Sequence, residues 1–164
     1  MTGKGFVAAA RIRPLTIGDA APAAILIREA FAAQSRATEP PSGALGETTA
    51  SVSAKLAEGG GAGVEADGAL VGVVLWAEKD GALYIGRVSV PPAWRGRGIA
   101  RALLAAAEAE ARRRGLKRMP LRVRLALGEN QRLFAGFGFT PAGQGAHPGY
   151  PEPTFLAMEK RLAE

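Results

Sequence analysis

The sequence predicts an α/β fold with a mixed, mostly antiparallel sheet and helices on both faces. Three observations carry this. Short runs rich in β-formers follow one another over 62–90. The dipeptides Asp67-Gly68 and Asp80-Gly81 separate those runs, and Asp-Gly between β-forming runs signals a tight antiparallel hairpin. One long helical pattern at about 98–114 then separates strand 83–90 from strand 118–125, and a helical crossover between sheet strands makes them a right-handed parallel pair.

The elements follow in chain order. RIRPLTI, residues 11–17, alternates as a first strand, and Pro14 places it at a sheet edge. Asp19 suits a helix N-cap and Pro22 still lies in the first turn. The helix expected over 19–34 sets Ile25 and Phe31/Ala32 on an apolar face opposite Arg28/Glu29. Residues 35–46, SRATEPPSGALG, have turn chemistry and no period. A short helix over 48–58 carries Val52 and Leu56 on one face and stops at Gly59–Gly61. Strands are expected at Ala62–Ala66, Leu70–Trp76 and Leu83–Val90, the last ended by Pro91-Pro92. On the long helix Ile99, Leu103, Ala107 and Ala111 form an apolar stripe. Glu108/Arg112 and Glu110/Arg114 are i,i+4 pairs, and Gly115 caps the end. A strand at 118–125, a short helix at 129–136 and a final strand at Phe155–Arg161 complete the chain. The 164 residues form one domain without repeat or linker, with 1–10 as a loose lead-in.

Composition narrows the function classes. Hydrophobic residues are 48% of the chain, enough for a packed core. No cysteine is present, which excludes disulfides, thiolate metal sites and a cysteine nucleophile. The single histidine, His147, cannot build a multi-histidine metal centre, and no metal is expected. Charges interrupt every apolar run before the ~18 residues of a membrane span, so a cytoplasmic protein without membrane contact is expected. The net charge of +6 is uneven: residues 95–124 hold ten basic residues, where the chain average gives about four. The same window contains no aromatic residue to stack on bases, which argues against nucleic acid as partner.

That basic window begins at the informative motif, VSVPPAWRGRGIARALL, residues 88–104. A strand runs into a glycine-bearing turn that opens a helix. The first N–H groups of a helix lack internal partners and sit at the positive end of its dipole, which suits phosphate oxygens. Gly96 and Gly98 admit a bulky pyrophosphate, Ala100 keeps bulk away, and Arg95, Arg97 and Arg101 add positive field. A nucleotide P-loop would need lysine then Ser/Thr where Ile99 and Ala100 stand, and a dinucleotide fingerprint would need glycine at position 101.

The segment resembles motif A of the GNAT superfamily of N-acetyltransferases, Arg/Gln-x-x-Gly-x-Gly/Ala, here Arg95, Gly98 and Ala100. Val-x-Val-Pro before it, Leu-Leu after it, the opening IRP…DA…IREAF and Gly138-Phe139 match as well. The resemblance implies a single-domain GNAT fold whose central parallel pair splays to hold coenzyme A. It implies acetyl-CoA as cofactor and a primary amine, on a small molecule or a protein, attacking directly in a ternary complex. Main-chain groups of Val88, Ser89 and Val90 would pair with the pantetheine arm, and an N–H near Val90 would polarise the thioester carbonyl. Residues 96–101, from Gly96 through Ile99 to Arg101, would cradle the pyrophosphate, and Asn130 would hydrogen-bond the arm.

The family often reads Leu-Tyr-x-x-x-Gly-Phe, whose tyrosine protonates the departing thiolate. Here the tyrosine position is Phe134, a slot wall without a proton. Tyr150 and Tyr84 are the substitute acids. Glu47 leads Glu29 and Glu78 as candidate base because it follows the loop that would build the acceptor site, and His147 is a further candidate. The acceptor site would lie between loops 35–47 and 140–152. A GNAT-fold acyl-CoA-binding protein with weak or lost catalysis is the alternative function. A homodimer is left open.

Overall fold

A computed structural model of the chain describes residues 10–34 and 38–163; the expected lead-in at 1–9 lies outside these. The elements are β1 (Arg11–Pro14), α1 (Ala20–Ala32), α2 (Thr49–Glu58), β2 (Gly60–Ala66), β3 (Ala69–Lys79), β4 (Ala82–Ser89), α3 (Ile99–Arg113), β5 (Arg118–Arg124), α4 (Gly128–Gly136), β6 (Thr140–Gly145) and β7 (Phe155–Arg161).

The sheet departs from expectation at its centre. Two sheets form, β1-β2-β3-β4 and β5-β7-β6, and every pairing in them is antiparallel. No ladder joins β4 to β5, although their backbones approach within 8 Å. The two strands thus face each other as unpaired edges: the splay that the resemblance implies is open here, and no parallel ladder forms across it. A bulge in β4 accompanies the break. Val73 pairs with Ser89 and Leu75 with Gly86, so β4 carries one extra residue there. Within that bulge Arg87 sits at φ 54°, and bulges bend and twist the strand that carries them.

Helices cover both faces of the first sheet, and β3 shows how. Val73 and Leu75 pack against α1 and α2 with Leu26, Ile27 and Val52. The alternate residues Val74 and Trp76 pack on the other side with Ile99, Leu103 and Ala107 of α3. The whole stripe anticipated on α3 is buried, and Gly115 (φ 73°) ends the helix with Leu116 N–H donating to Ala111 C=O at 2.9 Å. On α1 the buried face is Ala23, Ala24, Leu26, Ile27 and Ala30, whereas Ile25 is 58% exposed, so the apolar face expected at Ile25 is displaced. Asp19 also differs from a simple N-cap. Its carboxylate accepts from Thr16 N–H at 2.8 Å across a short 3₁₀ turn and binds Arg13 through both guanidinium ends. Arg13 reaches Glu65 as well, which locks the entry of α1 to β1 and β2.

Pro14 does lie on an edge strand, β1. β6 was expected to be loop; it is an exposed edge strand held only by β7. Among the described residues no helix is long and apolar enough to cross a membrane.

α3 approaches β3 closely because Gly72 has no side chain. A Cβ there would meet Ile99 Cγ2 at 2.5 Å and Leu103 Cδ1 at 3.3 Å. Gly72→Ala is therefore expected to lower stability by about 1–3 kcal/mol, the usual range for overpacking a core. Urea unfolding of the two proteins side by side checks this.

Candidate cofactor and acceptor cleft

The site starts from the break between the sheets. As edge strands, β4 and β5 leave main-chain donors and acceptors outside any ladder. Pro120 inside β5 fits such a position, since proline is confined to edges and bulges. Two cavities open along the break, of about 380 and 760 Å³. They share Phe31, Gln34, Val88, Leu127 and Asn130 as walls, so they adjoin along the break.

The smaller cavity ends at the start of α3. Gly96 and Gly98 stand at φ 75° and 81°, left-handed backbone that glycine adopts without strain. The first internal bond of α3 runs from Ala102 N–H to Gly98 C=O at 3.1 Å. Among the described residues none of the backbone N–H groups of 96–101 finds a carbonyl partner. Those groups, Gly96, Gly98, Ile99, Ala100 and Arg101 among the lining residues, fit a phosphate-ended ligand.

The arginines divide. Arg95 lines the cavity, but its guanidinium donates to Val90 C=O (3.0 Å), Ala30 C=O (3.1 Å) and Ala33 C=O (3.4 Å). It caps the C-terminus of α1 and ties that helix to the end of β4. Arg97 does not line the cavity; its guanidinium lies 4.7 Å from the Trp94 ring centroid. Arg101 is exposed at the cavity. Val88 and Val90 line the slot, whereas Ser89 points inward, 2% exposed, its hydroxyl donating to Arg87 C=O at 2.8 Å. Asn130, in the first turn of α4, faces both cavities, and its side-chain amide makes no hydrogen bond to another described residue. Gln131 anchors that turn by donating to Arg124 C=O and Leu125 C=O. Phe134 is buried on the wall of the larger cavity, edge-to-face with Phe139. Trp94 and Phe31 also line the slot and were not anticipated; each looks from sequence like an ordinary core aromatic.

The larger cavity lies between the segments expected to flank the acceptor. Ser42 and Gly43 line it from one side, Ala142 and His147 from the other. Tyr84 lines it as well. Tyr150 lines neither cavity; its hydroxyl donates to Glu39 at 3.1 Å, and burial, followed by that carboxylate, raises its pKa. Glu29 is exposed, and Glu78 pairs with Arg114 at 3.1 Å. His147 Nδ1 contacts Thr154 Oγ1 at 2.5 Å; burial, then Arg124 and Arg122, lower its pKa, which favours the neutral ring.

Glu47 is engaged differently from a free base. Only 2% exposed, it accepts from Ser51 Oγ (2.5 Å), Arg87 Nε (2.7 Å) and Lys55 Nζ (2.8 Å). Burial works against its charge, but the three donors prevail and hold its pKa at about 2. A carboxylate so satisfied is a poor proton acceptor. What it does is anchor Arg87, the bulge residue of β4, to the start of α2.

A channel between unpaired strand edges, closed at one end by a helix start with free N–H groups, defines a protein that holds an extended, phosphate-ended ligand. The chain belongs to the acetyltransferase (GNAT) family, whose model matches residues 27–139. No curated protein sequence matches it significantly. Similar solved structures include the PaiA N-acetyltransferase of Thermoplasma acidophilum in complex with coenzyme A, at 17% identity and TM-score 0.78, covering 93% of this chain and 98% of that one. Ard1 from Thermoplasma volcanium follows at 18% identity and TM-score 0.77, covering 95% and 99%. The ribosomal-protein-S18-alanine N-acetyltransferase of Escherichia coli is similar at 19% identity and TM-score 0.70, covering 94% and 95%. At these identities the likeness is one of fold.

Because the pKa of Glu47 is lowered from 4.5 to about 2, the network contributes stability above pH 4.5 and loses it as pH falls toward 2. Glu47→Gln is expected to cost about 1–3 kcal/mol at pH 7, the range for stranding charged hydrogen-bond partners that keep some solvent contact. The variant should also show a flatter decline in stability between pH 4.5 and 2 than the parent protein. Denaturant unfolding at stepped pH measures both.

Proposed function

We propose that the chain is an acetyl-CoA-dependent N-acetyltransferase that passes an acetyl group to a primary amine, on a small molecule or a protein, by direct attack in a ternary complex. One observation carries the reading. The helix-start cradle and the inter-loop cavity adjoin at Val88, Leu127 and Asn130, so a ligand seated in the first reaches the second. Bound acetyl-CoA supplies an activated thioester acyl group and a thiol leaving group.

The chain's residues do the rest. The N–H groups of 96–101 hold the pyrophosphate, with Arg101 beside them. Main-chain groups of Val88, Ser89 and Val90 align the arm along the open edge of β4, and the Asn130 amide hydrogen-bonds it. A main-chain N–H near Val90 faces the carbonyl oxygen, where a fixed dipole stabilises developing charge. Phe134 and Leu127 wall the slot against water. Proton removal needs no strong base, because three cations without a carboxylate partner, Lys79, Arg122 and Arg124, line the larger cavity, beside Arg87 and Arg118, which pair with Glu47 and Glu159. Like charges disfavour the ammonium form, so the amine arrives closer to its reactive neutral state. In this assignment Arg95 and Glu47 are positioning residues, and Tyr150 ties the 146–151 segment to Glu39.

The cradle has a clean test in Ala100→Glu. Ala100 lines the cavity and sits in the first turn of α3, where a carboxylate favours the helix by about 0.3–1 kcal/mol. The variant is expected to fold at least as well as the parent and to lose acetyl-CoA binding. The parent protein should gain about 2.7 kcal/mol at acetyl-CoA concentrations ~100 times Kd. A melting temperature that acetyl-CoA moves equally in both proteins would place the phosphate site elsewhere.

Phe134 on the cavity wall gives the alternative its footing, a binding protein with weak or lost transfer. Expelling an unprotonated thiolate of pKa ~8.5 at neutral pH costs roughly 2 kcal/mol. Phe134→Tyr is therefore expected to speed transfer by at most about 30-fold and to add an alkaline limb to the pH–rate profile. An unchanged rate and profile in a folded variant that still binds acetyl-CoA would mean that position 134 does not serve the leaving group.

A further inference from the structure

The larger cavity carries more positive charge than the cofactor reading uses. On β5 the side chains alternate: Met119, Leu121 and Val123 are buried, while Arg118, Arg122 and Arg124 sit on the other face, along the cavity. Two of the five lining cations are neutralised, Arg118 by Glu159 at 2.8 Å and Arg87 by Glu47 at 2.7 Å. Arg122, Arg124 and Lys79 are not. Arg124 donates to the carbonyls of Pro40 and Pro41, and Arg122 lies with its guanidinium carbon 4.4 Å from the Phe155 ring centroid. Carbonyls and a ring position these groups without cancelling their charge. No carboxylate of the described residues lies within 4 Å of either.

Both reach the same space. His147 feels Arg124 and Arg122 together, and its ring stands near-perpendicular to Phe155, the ring that Arg122 also contacts, with centroids 5.5 Å apart. Arg124 is partly buried, and burial lowers its pKa, with Tyr150 working against that shift and Arg87 adding to it. Uncompensated guanidinium groups on a concave wall are an unfinished arrangement, and a bound anion would complete it. Arginine's planar fork matches carboxylate and phosphate oxygens in pairs.

We propose that the amine acceptor carries an anionic group, carboxylate or phosphate, that docks on Arg122 and Arg124 while its amino group faces the slot at Val88 and Asn130. This rests on the transferase reading and narrows it. Amino-acid-like or phosphorylated amines are favoured. Polyamines and lysine side chains in basic segments are disfavoured, because each further positive charge meets the same wall.

The test uses matched acceptors with the intact protein: an amino acid against its carboxamide, and O-phosphoethanolamine against ethanolamine, compared per neutral amine. The anionic member of at least one pair is expected to have a kcat/KM at least 10-fold higher, carried mainly by KM. Which pair responds tells carboxylate from phosphate. Arg122→Gln should erase most of that preference, Arg122→Lys should keep part of it, and neither should change the Kd of acetyl-CoA. Equal kcat/KM within both pairs overturns the proposal. So does a fall in acetyl-CoA affinity in Arg122→Gln that matches its loss of rate, since the arginine would then serve the cofactor. If acetyl-CoA does not bind, or no amine is acetylated, it is the transferase reading that fails. The anion site is then read by titrating an N-acetyl amino acid against its N-acetyl carboxamide: tighter binding of the acid, lost in Arg122→Gln, upholds it, and equal binding overturns it.

Discussion

Everything in this molecule's site depends on β4 and β5 not pairing. Two strand edges that approach without a ladder leave main-chain N–H and C=O groups unsatisfied, and such groups are costly to bury without partners. The gap must therefore hold water or an extended ligand with its own amides. The bulge at Arg87 helps to keep it open. A non-glycine residue at φ 54° stores strain on the order of 1–3 kcal/mol and persists only where its surroundings hold it. Here the holding groups are identifiable: Glu47 grips the Arg87 side chain, and Ser89, buried just beyond, donates back to the Arg87 carbonyl. The strain in β4 and the anchoring of α2 are thus two sides of one contact.

The same logic ties the acceptor loops to the slot. Arg95 binds the last carbonyls of α1 and the end of β4, and Arg124 binds the carbonyls of Pro40 and Pro41. Arg28 donates to Glu47 C=O at 2.7 Å. Arg95 and Arg124 therefore fasten the end of α1 and the α1–α2 connection to the two strands that border the channel, and Arg28 ties α1 to the start of α2. A change in that connection would be felt at the strand edges, because the fasteners are charged donors on carbonyl oxygens, stronger than neutral hydrogen bonds.

Much of this was legible in the sequence, and the failures have physical causes. Hairpin dipeptides and period-3.6 stripes located β2, β3, β4 and α3, because local chemistry and tertiary packing agree there. The turn at Gly96–Gly98 was readable because left-handed backbone needs glycine. β6 was missed because TPAGQG has neither β-formers nor alternation; it is a strand only because β7 offers a free edge. The break between sheets lies beyond the crossover rule, which assigns direction, not hydrogen bonds; only the family resemblance implied a splay there. Pro120 inside a strand was the available sign that β5 has a free side. Glu47 was singled out as a base by its place beside the acceptor loop, whereas its contacts make it an anchor. Its three donors come from residues 4, 8 and 40 positions away, and only folding shows that they converge.

The concentration of basic residues over 95–124 shows how a true compositional signal can be assigned to the wrong groups. Read along the chain, it belongs to the glycine-bearing motif and supplements the helix start. In the structure, Arg112, Arg113 and Arg114 pair with Glu108 and Glu110. Arg95 caps a helix and Arg97 lies over Trp94. The phosphate cradle is then chiefly main chain, a set of N–H groups that point outward wherever a helix begins and that need glycine more than arginine. In the larger cavity the arginines left without a carboxylate are Arg122 and Arg124 of β5, with Lys79 of β3 beside them, and Arg101 stands without one at the smaller cavity. Net charge by itself could not have separated the two ends of the channel. The separation comes from β5 alternation and from which side chains the fold supplies with acids, and in the proposed assignment it puts selection by charge at the acceptor end and recognition chiefly by backbone at the cofactor end.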